Sequence, residues 1–340
     1  SDLAVFEPSS KQPIMLSSFR FAANVLFGDG FSEIPHGDTN PMIIKYAKYF
    51  KDLFNNDDDK YGELNGILDD IMEKRKSEDI NAFFFSIEQN KIVKNNDTFS
   101  YNLRLNEDYT RKIIFIYFYA TIIYYVAKTM VHRHLHKPRS VMFSGTGSKV
   151  LDIVGNKEDL NLITQTIFEM IYNEKYDADG FSVIIEHDEP KQITCRGALM
   201  QVRDNTGCEN VYELNRLMSN LDTPMKYNYS MISKECLTYN DMNNADIHNE
   251  IIESVKRYNE FFISLCDHIH VNDLFLVDKK SMQLFKDVVN KNIEHHLANG
   301  WIYMNKNVEE KNDDDLIEDT VFFYPIIGII RNNLIENLHD

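Results

Sequence analysis

The first third of the chain changes from short apolar runs to helical spacing. Residues 3–6 and 14–16 are apolar and are separated by the turn-forming residues 7–10, which predicts two strands, and residues 19–22 are expected to continue the sheet. From about residue 40 to residue 75, apolar residues recur every three or four positions, which is typical of helices. We therefore expect residues 32–108 to form an inserted, mainly helical subdomain.

The middle of the chain contains its most apolar segment. Residues 113–127 carry no charge and lie between Lys112 and Lys128, within a predicted helix over about 109–131. A membrane span needs about 20 apolar residues, and this stretch is shorter, so the pattern favours a fully buried core helix. The polar opening of the chain is also unlike a signal peptide.

A strand, a glycine-rich turn and further helices follow. Residues 141–143 predict a short strand, and Asn156 with Asp159 three residues later predicts the capped start of a helix. Residues 181–185 are typical of a buried strand, and Pro190 indicates the first turn of another helix.

Residues 204–340 predict a mainly helical C-terminal extension. Apolar residues from Met282 to Leu297 form one helical stripe, for which Asn299 and Gly300 are the expected C-cap. Residues 319–338 predict a closing helix with Pro325 near its start.

Composition narrows the classes of function. The 340 residues include 36 basic and 53 acidic side chains, a net charge of −17, which argues against binding to nucleic acid or to an anionic membrane. The four cysteines form no CxxC pair, so zinc-ribbon and thioredoxin sites are excluded and a reducing, cytoplasmic setting fits best. His132, His134 and His136 either complement the C-terminal end of a helix or, if extended, bind a metal.

The segment from Ser144 to Lys149 reads Ser-Gly-Thr-Gly-Ser-Lys between a predicted strand and a helix. Glycines in such a turn let the backbone approach a phosphate or nucleotide, and the helix behind them offers free N–H groups. The segment does not fit G-x-x-x-x-G-K-[ST], and Val150 replaces the third glycine of G-x-G-x-x-G. Two interpretations remain open: a ligand-binding turn, or only a tight turn.

Several segments, in order, resemble the second lobe of the actin, Hsp70 and sugar-kinase ATPase superfamily. Residues 141–150 are similar to the adenosine motif, and residues 195–201 (Cys-Arg-Gly-Ala-Leu-Met-Gln) to the small-residue helix that follows it. Residues 22–31 resemble the Hsp70 segment that enters the helical subdomain, and residues 1–6 resemble the strand after the second phosphate loop.

The resemblance implies an α/β fold in which a mixed sheet is flanked by helices, as in ribonuclease H-like and actin-like lobes. Its core would comprise residues 1–31 and 109–203, with the sheet drawn from residues 1–30 and 141–187. Full-length family members bind ATP or ADP with magnesium between two lobes. The implied adenosine side here is Gly145, Thr146, Gly147, Ser148 and Lys149, supported by Gly28, Gly197 and Ala198. Thr146 departs from the family's usual glycine pair and narrows that approach.

Glu73 and Lys76 resemble the adenine-clamping E-x-x-K helix, although an exposed ion pair at this spacing is the competing interpretation. The resemblance assigns no catalytic residue and no metal ligand within this chain. It implies that both phosphate loops and the first lobe lie before Ser1, in a bacterial-type protein.

We therefore expect no ATPase activity from the 340 residues alone, and nucleotide affinity no better than about millimolar. The expected partners are the protein's own N-terminal lobe and other proteins bound through the C-terminal extension. The alternative is a non-catalytic interaction module that retains the fold without binding nucleotide.

Overall fold

The structure is a computed structural model, and it describes part of the chain. The described residues are 2–6, 13–18, 21–22, 24–27, 52, 62, 65–66, 69, 109–132, 134–144, 148, 150–177, 180–185, 237–305, 312, 317 and 320–334. Most of the predicted inserted subdomain, the turn at 145–147 and the helix expected after Pro190 lie outside them.

The described residues are mostly helical, with four short strands. The strands are β1 (Asp2–Phe6), β2 (Pro13–Ser18), β3 (Ser140–Phe143) and β4 (Ser182–Ile185). The helices are α1 (Asn24–Phe27), α2 (Lys112–His132), α3 (Leu151–Val154), α4 (Lys157–Tyr172), α5 (Ala245–His268), α6 (Val271–Leu274), α7 (Lys279–Val288), α8 (Ile293–Asn305) and α9 (Phe323–Gly328). A 3₁₀ turn (Asn240–Asn243) precedes α5, and a π-helix (Ile329–Leu334) continues α9.

The strands confirm the predicted mixture of α and β structure. β1 and β2 pair antiparallel as a hairpin, whereas β3 and β4 pair parallel. Among the described residues these are two separate two-stranded sheets, and they do not join into the single mixed sheet that we expected. Phe21 does not extend the first sheet, because it is buried with its ring against Phe118 at 5.0 Å and Phe323 at 4.7 Å.

Helix α2 confirms the predicted core helix. It is 21 residues long, and most of its side chains are buried around its whole circumference. By length and composition it is the one described helix able to cross a membrane, but 89% of its apolar stretch is buried inside the protein. Helices α4, α5 and α7 and the π-helix all pack against it.

Buried hydrogen bonds fix α2 against α5. The Tyr117 hydroxyl donates to Asn259 Oδ1 at 2.6 Å, and the Thr121 hydroxyl donates to the Tyr258 hydroxyl at 2.7 Å. Tyr258 in turn donates to the Tyr117 carbonyl at 2.9 Å. Because each buried polar group has a partner, the tyrosine-rich core carries little desolvation cost at this contact.

The C-terminal helices correct one prediction. The stripe from Met282 to Leu297 is divided between α7 and α8, with Asn292 in the left-handed region at φ 55°. Gly300 lies inside α8 and is not its C-cap. A Cβ on Gly300 would lie 1.8 Å from the Tyr324 carbonyl oxygen, so this glycine allows α9 to approach closely. Pro325 does lie near the start of the closing helix, as predicted.

Candidate functional site

The glycine-rich segment of the sequence lies between two elements of a β–α–β unit. Strand β3 leads through α3 and α4 into β4, which pairs parallel to β3 from Ser140 opposite Ser182 to Phe143 opposite Ile185. The chain therefore leaves β3 at its carboxyl end, passes through residues 144–149 and enters α3. In open α/β sheets, ligands bind outside the carboxyl ends of parallel strands.

The helix after the turn begins with the predicted cap. The Asn156 side chain accepts a hydrogen bond from the Asp159 amide at 2.9 Å, and the Asp159 carboxylate accepts one from the Asn156 amide at 3.1 Å. This reciprocal pair is a capping box, and it fixes the first turn of α4. Gly155 permits it, since a Cβ there would lie 2.6 Å from the Asp159 side chain.

The opposite end of the unit is held by side chains from the α4–β4 connection. Tyr176 donates to the Pro138 carbonyl at 2.7 Å, and Tyr172 donates to the Leu135 carbonyl at 3.0 Å. The Lys137 ammonium lies 4.1 Å from the centre of the Tyr176 ring and donates to the Glu174 carbonyl at 3.1 Å. These contacts fix the segment that enters β3, so the start of the strand is anchored.

Buried Glu169 also holds the α4–β4 connection. Burial alone would raise the pKa of its carboxyl, but hydrogen bonds from Lys175, Gln165 and the Tyr176 amide outweigh burial and hold that pKa below its ordinary value. The anchored end of the unit therefore depends on an ionised carboxylate.

A cation lies at the N-terminal end of α2. Burial lowers the pKa of the half-buried Lys112, and the carboxylate of Asp159 opposes this shift. Asp159 is in the first turn of α4, so the N-terminal ends of α2 and α4 are close together. Because β3 and β4 are parallel, the start of α4 lies towards the carboxyl end of β3.

Of the predicted site residues, Ser148 is described, and it is buried with 8% of its surface exposed. The other predicted site residues lie outside the described part of the chain: Gly28, Glu73, Lys76, Gly145, Thr146, Gly147, Lys149, Gly197 and Ala198. Ser144, the residue between β3 and the undescribed turn, is exposed. The described residues on either side of 145–147 are therefore an exposed serine, Ser144, and a buried serine, Ser148.

The structure adds a pair of interacting charges, Lys112 at the start of α2 and Asp159 in the first turn of α4. The sequence signal for Lys112 was its position at a helix N-terminus, where the macrodipole disfavours a cation. Asp159 was predicted as a capping residue, and its effect on Lys112 depends on a helix packing that spacing does not reveal.

The histidines after α2 do not form a metal site with described residues. His132 is in the last turn of α2, and His134 has left-handed backbone at φ 56°. Within the described ranges, no group of three histidine, cysteine, aspartate or glutamate side chains is placed to hold a metal ion.

Comparison with protein-family models, with curated proteins and with solved structures finds no match to this chain.

Proposed function

We propose that the chain is the nucleotide-binding lobe of an actin-like or Hsp70-like ATPase and supplies the adenosine side of an ATP cleft. The glycine turn from Gly145 to Lys149 would admit the ribose and the α-phosphate. Magnesium and the attacking water would be positioned by the phosphate loops of the full-length protein, since phosphoryl transfer depends on positioning and on metal-assisted charge stabilisation.

One observation carries the proposal: β3, whose carboxyl end leads into residues 145–149, pairs parallel with β4 across an intervening helical crossover. A hairpin turn or a turn inside a helical bundle would not offer this arrangement. Lys112, at the same end of the unit, supports the proposal further because a half-buried ammonium suits a phosphate.

The test is an amide NMR titration of the 340-residue chain with ADP. We expect saturable shifts for Ser144 and Ser148, with a dissociation constant of about 1 mM, because a half-site lacks many phosphate contacts. Gly147→Val should abolish these shifts while the spectrum of β3 and β4 is retained, since a branched side chain blocks backbone approach.

Gly66→Val is the matched control for that experiment. Gly66 is helical, and a Cβ there meets no atom of the described residues within 4 Å, so the variant should bind ADP like the parent. If ADP shifts no residue near the turn, or shifts it equally in Gly147→Val, the nucleotide proposal is wrong and the turn is only a connection.

A second candidate function, a non-catalytic protein-interaction module, is favoured by one surface feature of the C-terminal helices. Leu274 and Leu276 are 57% and 53% exposed on either side of the buried Phe275. Leu276 also has left-handed backbone at φ 54°, which is strained for a leucine. Failure of ADP to bind, together with a partner lost in the Leu274→Ser/Leu276→Ser variant, would favour this function.

A further inference from the structure

The closest described helix contact is the crossing of α8 and α9, where backbone meets backbone. A Cβ on Gly300 would lie 1.8 Å from the Tyr324 carbonyl oxygen, and a Cβ on Gly328 would lie 2.3 Å from the His296 carbonyl oxygen. His296 and Gly300 are four residues apart on α8, as Tyr324 and Gly328 are on α9. Each helix therefore places one glycine against the backbone of a large residue in the other helix: Gly300 against Tyr324, and Gly328 against His296.

His296 is buried at this crossing without full hydrogen bonding. Its side chain is 5% exposed, and its Nδ1 has no hydrogen-bond partner among the described residues. A buried, unsatisfied polar atom costs stability that an apolar side chain of similar size would not. Position 296 is thus occupied by histidine, the side chain whose charge changes near neutral pH, although its unpaired nitrogen lowers the stability of the fold.

We propose that His296 is an acid-sensitive latch, and that its protonation releases α9 and the π-helix from α8. A charge on this ring would be poorly solvated, because only 5% of the residue is exposed. This inference is independent of nucleotide binding.

The groups facing α8 from the elements packed against it offer little to neutralise such a charge. The π-helix brings another cation, Arg331, whose guanidinium lies 4.6 Å from the centre of the Tyr303 ring. Glu250 of α5 is bonded to Arg257 at 2.8 Å. Burial raises the pKa values of two buried groups on α5, Tyr258 and Cys266, so both are uncharged at neutral pH.

The direction of the pH dependence follows from burial. Burial, with a smaller contribution from the neighbouring His295, lowers the pKa of His296 to about 4 from its ordinary 6.5. The closed crossing therefore binds fewer protons than the open one between these values. The stabilisation is complete above pH 6.5 and is lost as the pH falls towards 4.

The released segment is rich in aromatic side chains. Phe323 packs against Phe21 at 4.7 Å and Tyr125 at 4.9 Å, and Phe322 lies 6.2 Å from Tyr124. Opening of the latch would therefore uncover the aromatic surface of α2 that α9 covers.

Hydrogen exchange of the full 340-residue chain tests the latch. After correction for intrinsic exchange rates, protection of residues 320–334 should fall about 30-fold from pH 8 to pH 5, the ratio that linkage gives for pKa values of about 4 and 6.5. Protection of α4, which belongs to the β–α–β unit, should change far less.

Two variants separate the latch from general acid effects. His296→Gln should remove the pH dependence at residues 320–334, whereas His295→Gln, which alters an exposed histidine beside it, should retain it. An equal fall in His296→Gln and parent, or an equal fall in α4, would overturn the proposal.

A titration of the unaltered protein decides the matter even if His296→Gln does not fold. The ring resonances of His296, followed by NMR, should change little between pH 8 and pH 5. A midpoint above pH 6 would show that the buried ring accepts a proton without opening the crossing, and the latch would be wrong.

Discussion

At the scale of single residues, the start of α4 was the part best predicted from sequence. Asn156 and Asp159 have the residue types and the spacing of a capping box, and both reciprocal hydrogen bonds are present. This succeeded because a cap is a local interaction, decided by residues three apart. The role of Gly155 could not be predicted in the same way. A glycine is required there because of where the Asp159 side chain lies in the folded protein.

The cap gives the first prediction. Asn156→Ala should lower the free energy of unfolding by about 1 kcal/mol because the Asp159 amide loses its acceptor. Gly155→Ala should cost a similar amount by displacing Asp159. Urea denaturation measures both, with Lys157→Ala at the exposed neighbouring position as the control, expected to lie within about 0.5 kcal/mol of the parent.

Lys112 gives the second prediction, which rests on the proposed function. Lys112→Gln should weaken ADP binding about tenfold, since one charge-assisted contact with a phosphate is lost. Lys128→Gln is its counterpart near the other end of α2, where the ammonium lies 5.6 Å from the centre of the Tyr124 ring, and it should bind ADP like the parent. Equal affinities in all three proteins would exclude Lys112 from the site.

At the scale of elements, type was more predictable than extent. The apolar runs located β1, β2, β3 and α2 to within a few residues, because each pattern is local. The prediction of one continuous stripe across α7 and α8 was wrong, since α7 ends at Val288 and the left-handed Asn292 directly precedes α8. Residues 181–185 form a strand as predicted, but Val183 alone is buried there, because burial depends on what covers the sheet.

The crossing of α8 and α9 gives the third prediction. Gly300→Ala and Gly328→Ala should each lower the free energy of unfolding by about 3 kcal/mol, because the added methyl meets backbone atoms that cannot rotate away. Intrinsic helix propensity alone would favour alanine by about 1 kcal/mol.

Gly66→Ala measures the helix-propensity effect alone, since in the described part of the chain no atom lies within 4 Å of a Cβ at this helical glycine. Thermal melts of the three variants should rank Gly66→Ala at or above the parent and the other two well below it. A stabilised Gly300→Ala would mean that α8 and α9 do not cross so closely. The sequence predicted that Gly300 ends a helix. The actual reason for a glycine there is the close approach of α9, which lies more than twenty residues further along the chain.

At the scale of the whole molecule, helix α2 is covered by elements from two of the regions that the sequence distinguishes. Residues 204–340 were expected to be an extension beyond the lobe, and α5 and α9 from this range cover α2 together with α4 and β3. A helix that is apolar on every side needs partners on every side. That requirement was visible in residues 113–127, but the identity of the partners was not.

The shared core gives the last prediction. The single tryptophan, Trp301, lies in α8 with its ring 5.3 Å from Tyr239 and 5.5 Å from Tyr324, so its fluorescence reports on the C-terminal helices. Far-UV circular dichroism reports on all helices. In urea at pH 8, where His296 is neutral, the two transitions should coincide, because loss of α5 and α9 would expose the buried side of α2 to water. A fluorescence transition at lower urea than the dichroism transition would show instead that the C-terminal helices unfold alone and that α2 keeps a sufficient core without them.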